Sequence, residues 1–197
     1  MKLIGLISPN FSEETLADVY QILPKDFRIV GRDLDVAQYV DSEFHRVEQK
    51  FAGIVRDLTQ QPLDFLMITG ELFLSYKGPG SDRLILDMVK GISPISASTV
   101  LTAVIRGHRA LGMKRVVMAS PFAEAQDARL IKFLNGDGID VVAHKCLGYD
   151  NSDKVWKLAP QTGYDLAVAL LREHPDVDGL YMPCNKWRIT SIIDRLE

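Results

Sequence analysis

The chain has 197 residues, 47% hydrophobic and 25% charged, enough apolar material for one large core or two small ones and too much for disorder. Its 26 acidic and 23 basic side chains leave a net charge of −3 spread along the chain, so no basic stripe points to nucleic acid or an anionic membrane. Two cysteines make no disulfide framework, no paired Cys/His spacing marks a zinc site, and the apolar run at 3–7 stops at Ser8-Pro9-Asn10, so the sequence predicts a cytoplasmic protein with reduced thiols and no membrane span. A small mobile substrate is the expected partner.

Residues 3–7 form the first predicted strand. Ser12 then caps a helix with Glu13 and Glu14 in its first turn and Leu16, Val19, Tyr20 and Leu23 on its apolar stripe. A strand at 28–30, a helix with Phe44, Val47, Phe51, Ile54 and Leu58 inward, and a strand at 65–68 follow. "KGPGSD" (77–82) has neither Walker spacing nor a GxGxxG pattern, so it reads as a loop leading into a helix at Leu84, with no nucleotide site. Residues 92–112 supply a further short strand and a helix whose stripe is Leu101, Val104, Ile105, His108 and Leu111; His108 reads as a core histidine rather than a base. Beyond it come a strand at 116–119, a helix bearing Ala128, Ile131 and Leu134 and stopped by Asn135-Gly136, and a strand at 141–143. His144, Lys145 and Cys146 follow that strand and read as residues split between two environments rather than as metal ligands. Leu166, Leu170 and Leu171 mark another helix, 180–182 the last strand, and 187–196 a terminal helix. The strands are apolar on both faces, as strands of parallel sheets covered on both sides are, so the class is α/β.

The chain also repeats itself. "MKLIGLISP" (1–9) returns as "MKRVVMASP" (113–121), and "LDFLMITGE" (63–71) returns as "VDGLYMPCN" (177–185), shifts of 112 and 114 positions. Two matches at nearly one shift predict two pseudo-symmetric lobes, 1–112 and 113–197, each a small parallel sheet flanked by helices, with an active-site cleft between them. The repeat puts Gly70 of the first lobe at the position of Cys184 in the second. Both follow the carboxyl end of a strand, where open α/β sheets bind ligands.

This pattern resembles the aspartate/glutamate racemase superfamily, and within it the arylmalonate decarboxylase and maleate cis-trans isomerase branch. The resemblance is carried by "ISASTVLTAVIRGHRALGMKRVVMASPFAEAQDARLIKFL" (95–134), "HKCLG" (144–148), "GLYMPCN" (179–185) and, more weakly, "GELFLSYKG" (70–78). Racemases of the superfamily carry a cysteine in each lobe, whereas the decarboxylase keeps only the second and has glycine at the first, the combination seen at Gly70 and Cys184. The resemblance implies an enzyme that needs no cofactor or metal and acts on a small carboxylic acid.

Racemisation needs a base on one face of a carbon acid and a proton donor on the other, which a lone thiol cannot supply. Decarboxylation needs only one donor, because carbon dioxide leaves an enediolate that takes a proton from one side. A thiol with an ordinary pKa of about 8.5 is mostly protonated near neutrality and suits that task. The donors expected to hold the enediolate are backbone N–H groups after Gly70 and Cys184, Asn185 beside the thiol, and the hydroxyls of Ser96, Ser98 and Thr99 at a helix N-terminus, where ordinary capping is the competing explanation. The chain departs from the decarboxylase at three anchors: Glu71 and Leu72 replace hydroxyl donors, and Phe122 replaces a tyrosine. A Glu71 carboxylate about 4 Å from a substrate carboxylate would cost roughly 4 kcal/mol at an effective dielectric of 20. Two alternatives therefore stand beside a malonate-type decarboxylase: a maleate isomerase or an aspartate, glutamate or hydantoin racemase in which Glu71 replaces the first thiol, and a non-catalytic binder of small carboxylates.

By the repeat, the second lobe is shorter than the first by a strand and a helix after the segment at 187–196. That predicts an open sheet edge, apolar surface at Ile189, Ile192 and Ile193, and self-association.

Overall fold

Apolar strands alternate with helices long enough to cross over, and every strand pair in the protein is parallel. The structure, a computed structural model, describes residues 1–197, the side chain of Glu14 apart. The expectation for Glu14 therefore lies outside the described residues. Two compact units, Met1–Ala103 and Val104–Glu197, divide the chain. Among the described residues no helix is long and apolar enough to cross a membrane.

The first unit holds β1 (Lys2–Ser8), α1 (Glu13–Ile22), β2 (Phe27–Asp33), α2 (Asp41–Leu58), β3 (Phe65–Ile68), α3 (Glu71–Ser75), α4 (Ser81–Ile92) and β4 (Ala97–Thr99), with sheet order β2-β1-β3-β4. Ser12 caps α1, its side chain accepting the Thr15 N–H at 3.3 Å. Tyr20, read as part of the α1 stripe, is 40% exposed. β2 is a sheet edge, and the Tyr20 hydroxyl accepts the Ile29 N–H there at 2.9 Å. The buried face of α2 is Phe44, Val47, Phe51, Val55 and Leu58, with Val55 taking the inward place expected of Ile54. β4 has three residues and no aliphatic run, so periodicity locates it only loosely.

The helix α5 (Val100–Ala110) spans the division between the units, whereas the sequence repeat restarts at Met113. Leu111, placed on its stripe, lies beyond its last turn and is 75% exposed. The second unit continues with β5 (Arg115–Phe122), α6 (Glu124–Gly136), β6 (Asp140–Tyr149), α7 (Ser152–Trp156), α8 (Pro160–Glu173) and β7 (Gly179–Tyr181), in sheet order β6-β5-β7. Its core joins Val117 and Ala119 of β5 to Ala167 and Leu170 of α8. The two sheets share a register: Ile4 pairs with Ile29 and Phe65, and Val116, its counterpart in the repeat, pairs with Val141 and Gly179.

Three expectations need correction in this unit. The inward face of α6 is Asp127, Leu130, Phe133 and Leu134, while Ala128 is exposed, because the larger Leu and Phe side chains gain more from burial than a methyl group. β6 runs to Tyr149, so His144, Lys145 and Cys146 lie within the strand rather than after it. The terminal segment is a single 3₁₀ turn at Thr190–Ile192 followed by α9 (Ile193–Leu196), not one helix from 187. Trp187 is retained in a turn, its N–H donating to the Cys184 carbonyl at 3.1 Å. Of the three isoleucines expected outward, Ile192 is buried, Ile189 half-buried and Ile193 43% exposed.

Candidate active site

β3 ends at Ile68, and the chain turns at once. Thr69 donates its N–H to the Ile7 carbonyl at 2.8 Å, and Gly70 takes the left-handed conformation with φ 102° and ψ 80°. A Cβ at Gly70 would stand 2.3 Å from Pro9 Cγ and 2.8 Å from Cδ, so both the backbone and the proline ring favour glycine here. α3 begins immediately, and its first two residues, Glu71 and Leu72, are 8% and 6% exposed.

The serine and threonine cluster is split by its placement. Ser96 is exposed at the amino end of β4, four residues from the start of α5 and not at a helix N-terminus as expected. Ser98 and Thr99 are buried. Thr99 Oγ1 accepts the Thr102 N–H at 3.0 Å, the geometry of a helix cap, and Ser98 Oγ donates to the Thr99 carbonyl at 3.2 Å. Thr102 Oγ1 in turn donates to Asp82 Oδ2 at 2.8 Å.

In the second unit, β5 ends in Ser120-Pro121-Phe122. The Phe122 N–H donates to Ser120 Oγ at 3.0 Å, and that hydroxyl donates to Asp127 Oδ1 at 2.6 Å. Asp127 is fully buried in the first turn of α6, and burial pushes its carboxyl up to about 6 against the lowering effect of the Ser120 bond. The Phe122 side chain is 2% exposed.

Cys184 follows β7 by three residues, with φ 86° and 8% exposure. Among the described residues only Asp35 shares a positive φ without being glycine. A left-handed conformation costs an L side chain roughly 1–2 kcal/mol, so the turn stores strain at the thiol. The turn at 184–187 is closed by the Trp187 to Cys184 bond and anchored by Trp187, which is 1% exposed and packs so closely on α8 that a Cβ at Gly163 would meet its Cζ2 at 3.0 Å. Asn185 is exposed on this turn. Lys186 and Arg188 each lie 5.2 Å from the Trp156 ring centroid.

The other candidates find partners elsewhere. His108 is 9% exposed, its Nδ1 lies 2.8 Å from the Val104 carbonyl, and its ring stands edge-on to Tyr181 at 5.9 Å. His144 Nε2 bonds Glu124 Oε1 at 2.9 Å, and the Cys146 thiol donates to Glu124 Oε2 at 3.4 Å, with burial and that carboxylate raising the thiol's pKa. Among the described residues no group of three or more His, Cys, Asp or Glu is placed to hold a metal ion. Asp127 and the cluster of Trp156, Lys186 and Arg188 were not singled out in the sequence; the two cations flank Trp187, two and four residues after Cys184.

Residues 4–197 match the arylmalonate decarboxylase family. The chain belongs to that family. It is 24% identical over 194 residues to arylmalonate decarboxylase of Bordetella bronchiseptica, covering 98% of this chain and 80% of that protein. A Gly-to-Cys, Cys-to-Ser double variant of arylmalonate decarboxylase in its liganded form superposes with a TM-score of 0.89 at 21% identity, over 100% of this chain and 85% of the other. A variant of the maleate isomerase Iso from Pseudomonas putida with maleate gives 0.88 at 18% identity, over 100% and 83%. A Nocardia farcinica maleate cis-trans isomerase variant bearing a covalently bound succinylcysteine intermediate gives 0.82 at 16%, over 94% and 79%. These relatives are enzymes, a decarboxylase and isomerases, and share the α/β fold of two parallel sheets.

Proposed function

We propose that the protein is a cofactor-independent decarboxylase of malonate-type, 2-substituted dicarboxylic acids in which Cys184 protonates the enediolate. One observation carries this: Gly70 and Cys184, paired by the repeat, both adopt left-handed backbone just after a strand, and the one that is not glycine is the thiol. The liganded decarboxylase variant adds support, since its exchanged glycine and cysteine are separated by as many residues as Gly70 and Cys184. In the proposed reaction the bond to one carboxylate carbon breaks, carbon dioxide leaves, and the electron pair spreads into the enediolate. The thiol proton passes to carbon, and water reprotonates the thiolate. Gly70 carries no second thiol, which argues against a two-thiol racemisation.

The likeness to maleate isomerases keeps a second reading open, in which Cys184 adds to a double bond. Purified protein given a panel of 2-substituted malonates and maleate separates the two by carbon dioxide release or by fumarate formation. Cys184→Ala is expected to lower release about 10²–10⁴-fold, the range for loss of a positioned general acid. Equal release by the wild type and this variant would remove the thiol from the mechanism. Binding of these acids with no turnover of any would leave the small-carboxylate binder as the function.

A further inference from the structure

The second sheet is irregular at the end that leads to Cys184. β5 and β6 pair Ser120 with Cys146 and Phe122 with Tyr149, so two steps along β5 face three along β6, and the extra residue falls at Leu147-Gly148, where Gly148 takes φ 81°. Bulges of this kind re-aim a side chain or end a ladder, and they gather beside active sites. Pro121 has no N–H to give the ladder, and the Phe122 N–H turns back to Ser120 Oγ at 3.0 Å. One hydroxyl thus pins the end of the strand from within. That hydroxyl is itself held: it donates to Asp127 Oδ1 at 2.6 Å, and Ser120 and Asp127 are both fully buried. With its hydrogen committed to the carboxyl, it keeps a lone pair for the Phe122 N–H. A carboxyl is a costly anchor there, because its Oδ2 is buried without a hydrogen-bond partner, a penalty that an apolar side chain would avoid. Fold stability alone does not account for it, whereas orienting Ser120 does.

Register gives the second line of argument. Met118 of β5 pairs with Tyr181 of β7, so Phe122 stands four residues beyond that pair and Cys184 three beyond it, at the carboxyl ends of neighbouring strands of one sheet. Ligands of open α/β sheets bind at that end. The Phe122 ring is 2% exposed, so it belongs to the packed wall there.

We infer that Asp127 is a positioning residue: through Ser120 it fixes the backbone at Phe122, and thereby the wall beside Cys184 that selects the substituent of the reacting acid. The selection rests on the decarboxylase reading of Cys184; the linkage from Asp127 through Ser120 to Phe122 does not.

The test compares Asp127→Asn, Asp127→Ala, Ser120→Ala and the double alanine variant with the wild type, as full chains isotope-labelled at phenylalanine. Amide exchange at Phe122 should quicken about tenfold in each alanine variant, the worth of one hydrogen bond, and stay within about threefold of the wild type in Asp127→Asn, which keeps the acceptor. The double variant should match the single ones, because the two side chains act in series. The ratio of kcat/KM for a phenyl-substituted against a methyl-substituted malonate should shift about tenfold in the alanine variants and return to the wild-type value in Asp127→Asn. A loss of folded protein lowers turnover of both acids alike and leaves that ratio unmoved. Circular dichroism melts confirm that each variant is folded, and Ser120→Ala carries both measurements if Asp127→Ala does not fold. Unchanged exchange at Phe122 in the alanine variants, additive losses in the double variant, or quickened exchange with an unchanged substituent ratio overturns the inference. A wild type that binds both acids and releases carbon dioxide from neither removes the decarboxylase reading, and the same ratio is then read from the two dissociation constants. Binding of neither acid overturns the inference and that reading together.

Discussion

Asp127 lies wholly buried at the start of α6 and accepts the Ser120 hydroxyl, so ionising it places a charge where little solvent can answer it. Its carboxyl is raised from 3.8 to about 6, chiefly by burial. The folded protein therefore retains a proton between about pH 4 and 6 that the unfolded chain has released, and stability falls as pH rises through that window, levelling above about 6. Asp127→Asn keeps an acceptor for Ser120 and removes the titration. Denaturant unfolding from pH 4 to 7.5 should show the wild type losing on the order of 2–3 kcal/mol relative to this variant across the window. Parallel pH profiles would refute the raised carboxyl. Nothing in the sequence singled out Asp127, because an acid in the first turn of a helix looks like an ordinary complement to the helix dipole. Only the fold shows that this turn faces inward. The turn at Cys184 was legible for the opposite reason: the repeat set it against Gly70, and the two positions share a left-handed backbone.

At the scale of elements, the strands were legible because β-branched runs bounded by polar turns leave little choice; the structure lengthens β1, β2, β5 and β6, reproduces β3 and shifts β7 by one residue. Helix faces were less so. Ile54 and Val55 differ by one position and by little in hydrophobicity, so only the packing against α4 and the sheet decides between them. The segment after Cys184 shows the limit most plainly, since its helical spacing is real but its first residue, Trp187, is committed to the turn. The Trp156, Lys186 and Arg188 cluster was invisible for a related reason: about thirty residues of α8 and β7 separate the ring from the cations. Trp187 is the pin of this assembly. Trp187→Ala should cost about 3–5 kcal/mol, as other buried tryptophan truncations do, measured by thermal or denaturant unfolding. It should also free the Cys184 turn, lowering turnover even at temperatures where the variant is folded. A loss under 1 kcal/mol would mean that the turn stands without the indole.

For the whole molecule, the repeat was the most productive signal, because it survives as paired registers in the two sheets. The sheets differ at one edge. β3 is covered by β4, whereas β7, its counterpart, ends the second sheet beside a groove of about 540 Å³ lined by residues such as Leu111, Met113, Leu180, Met182 and Ile193. A strand edge with unpaired N–H and C=O groups next to apolar side chains is a template for another chain. Leu111 and Ile193 are both largely accessible, at 75% and 43%. The expected occupant is a second copy, since two identical edges can pair about a two-fold axis, each filling the other's groove. Sedimentation and light scattering over a hundredfold concentration range should show reversible dimerisation. Leu111→Glu combined with Ile193→Glu should shift the protein to monomer, because association would bury four carboxylates without partners, at a cost of several kcal/mol per ion. Both residues are already exposed, so the melting temperature of the isolated chain should change little. A wild type that stays monomeric at the highest concentration would show that the groove is too shallow, or the edge too short at three residues, to hold another copy.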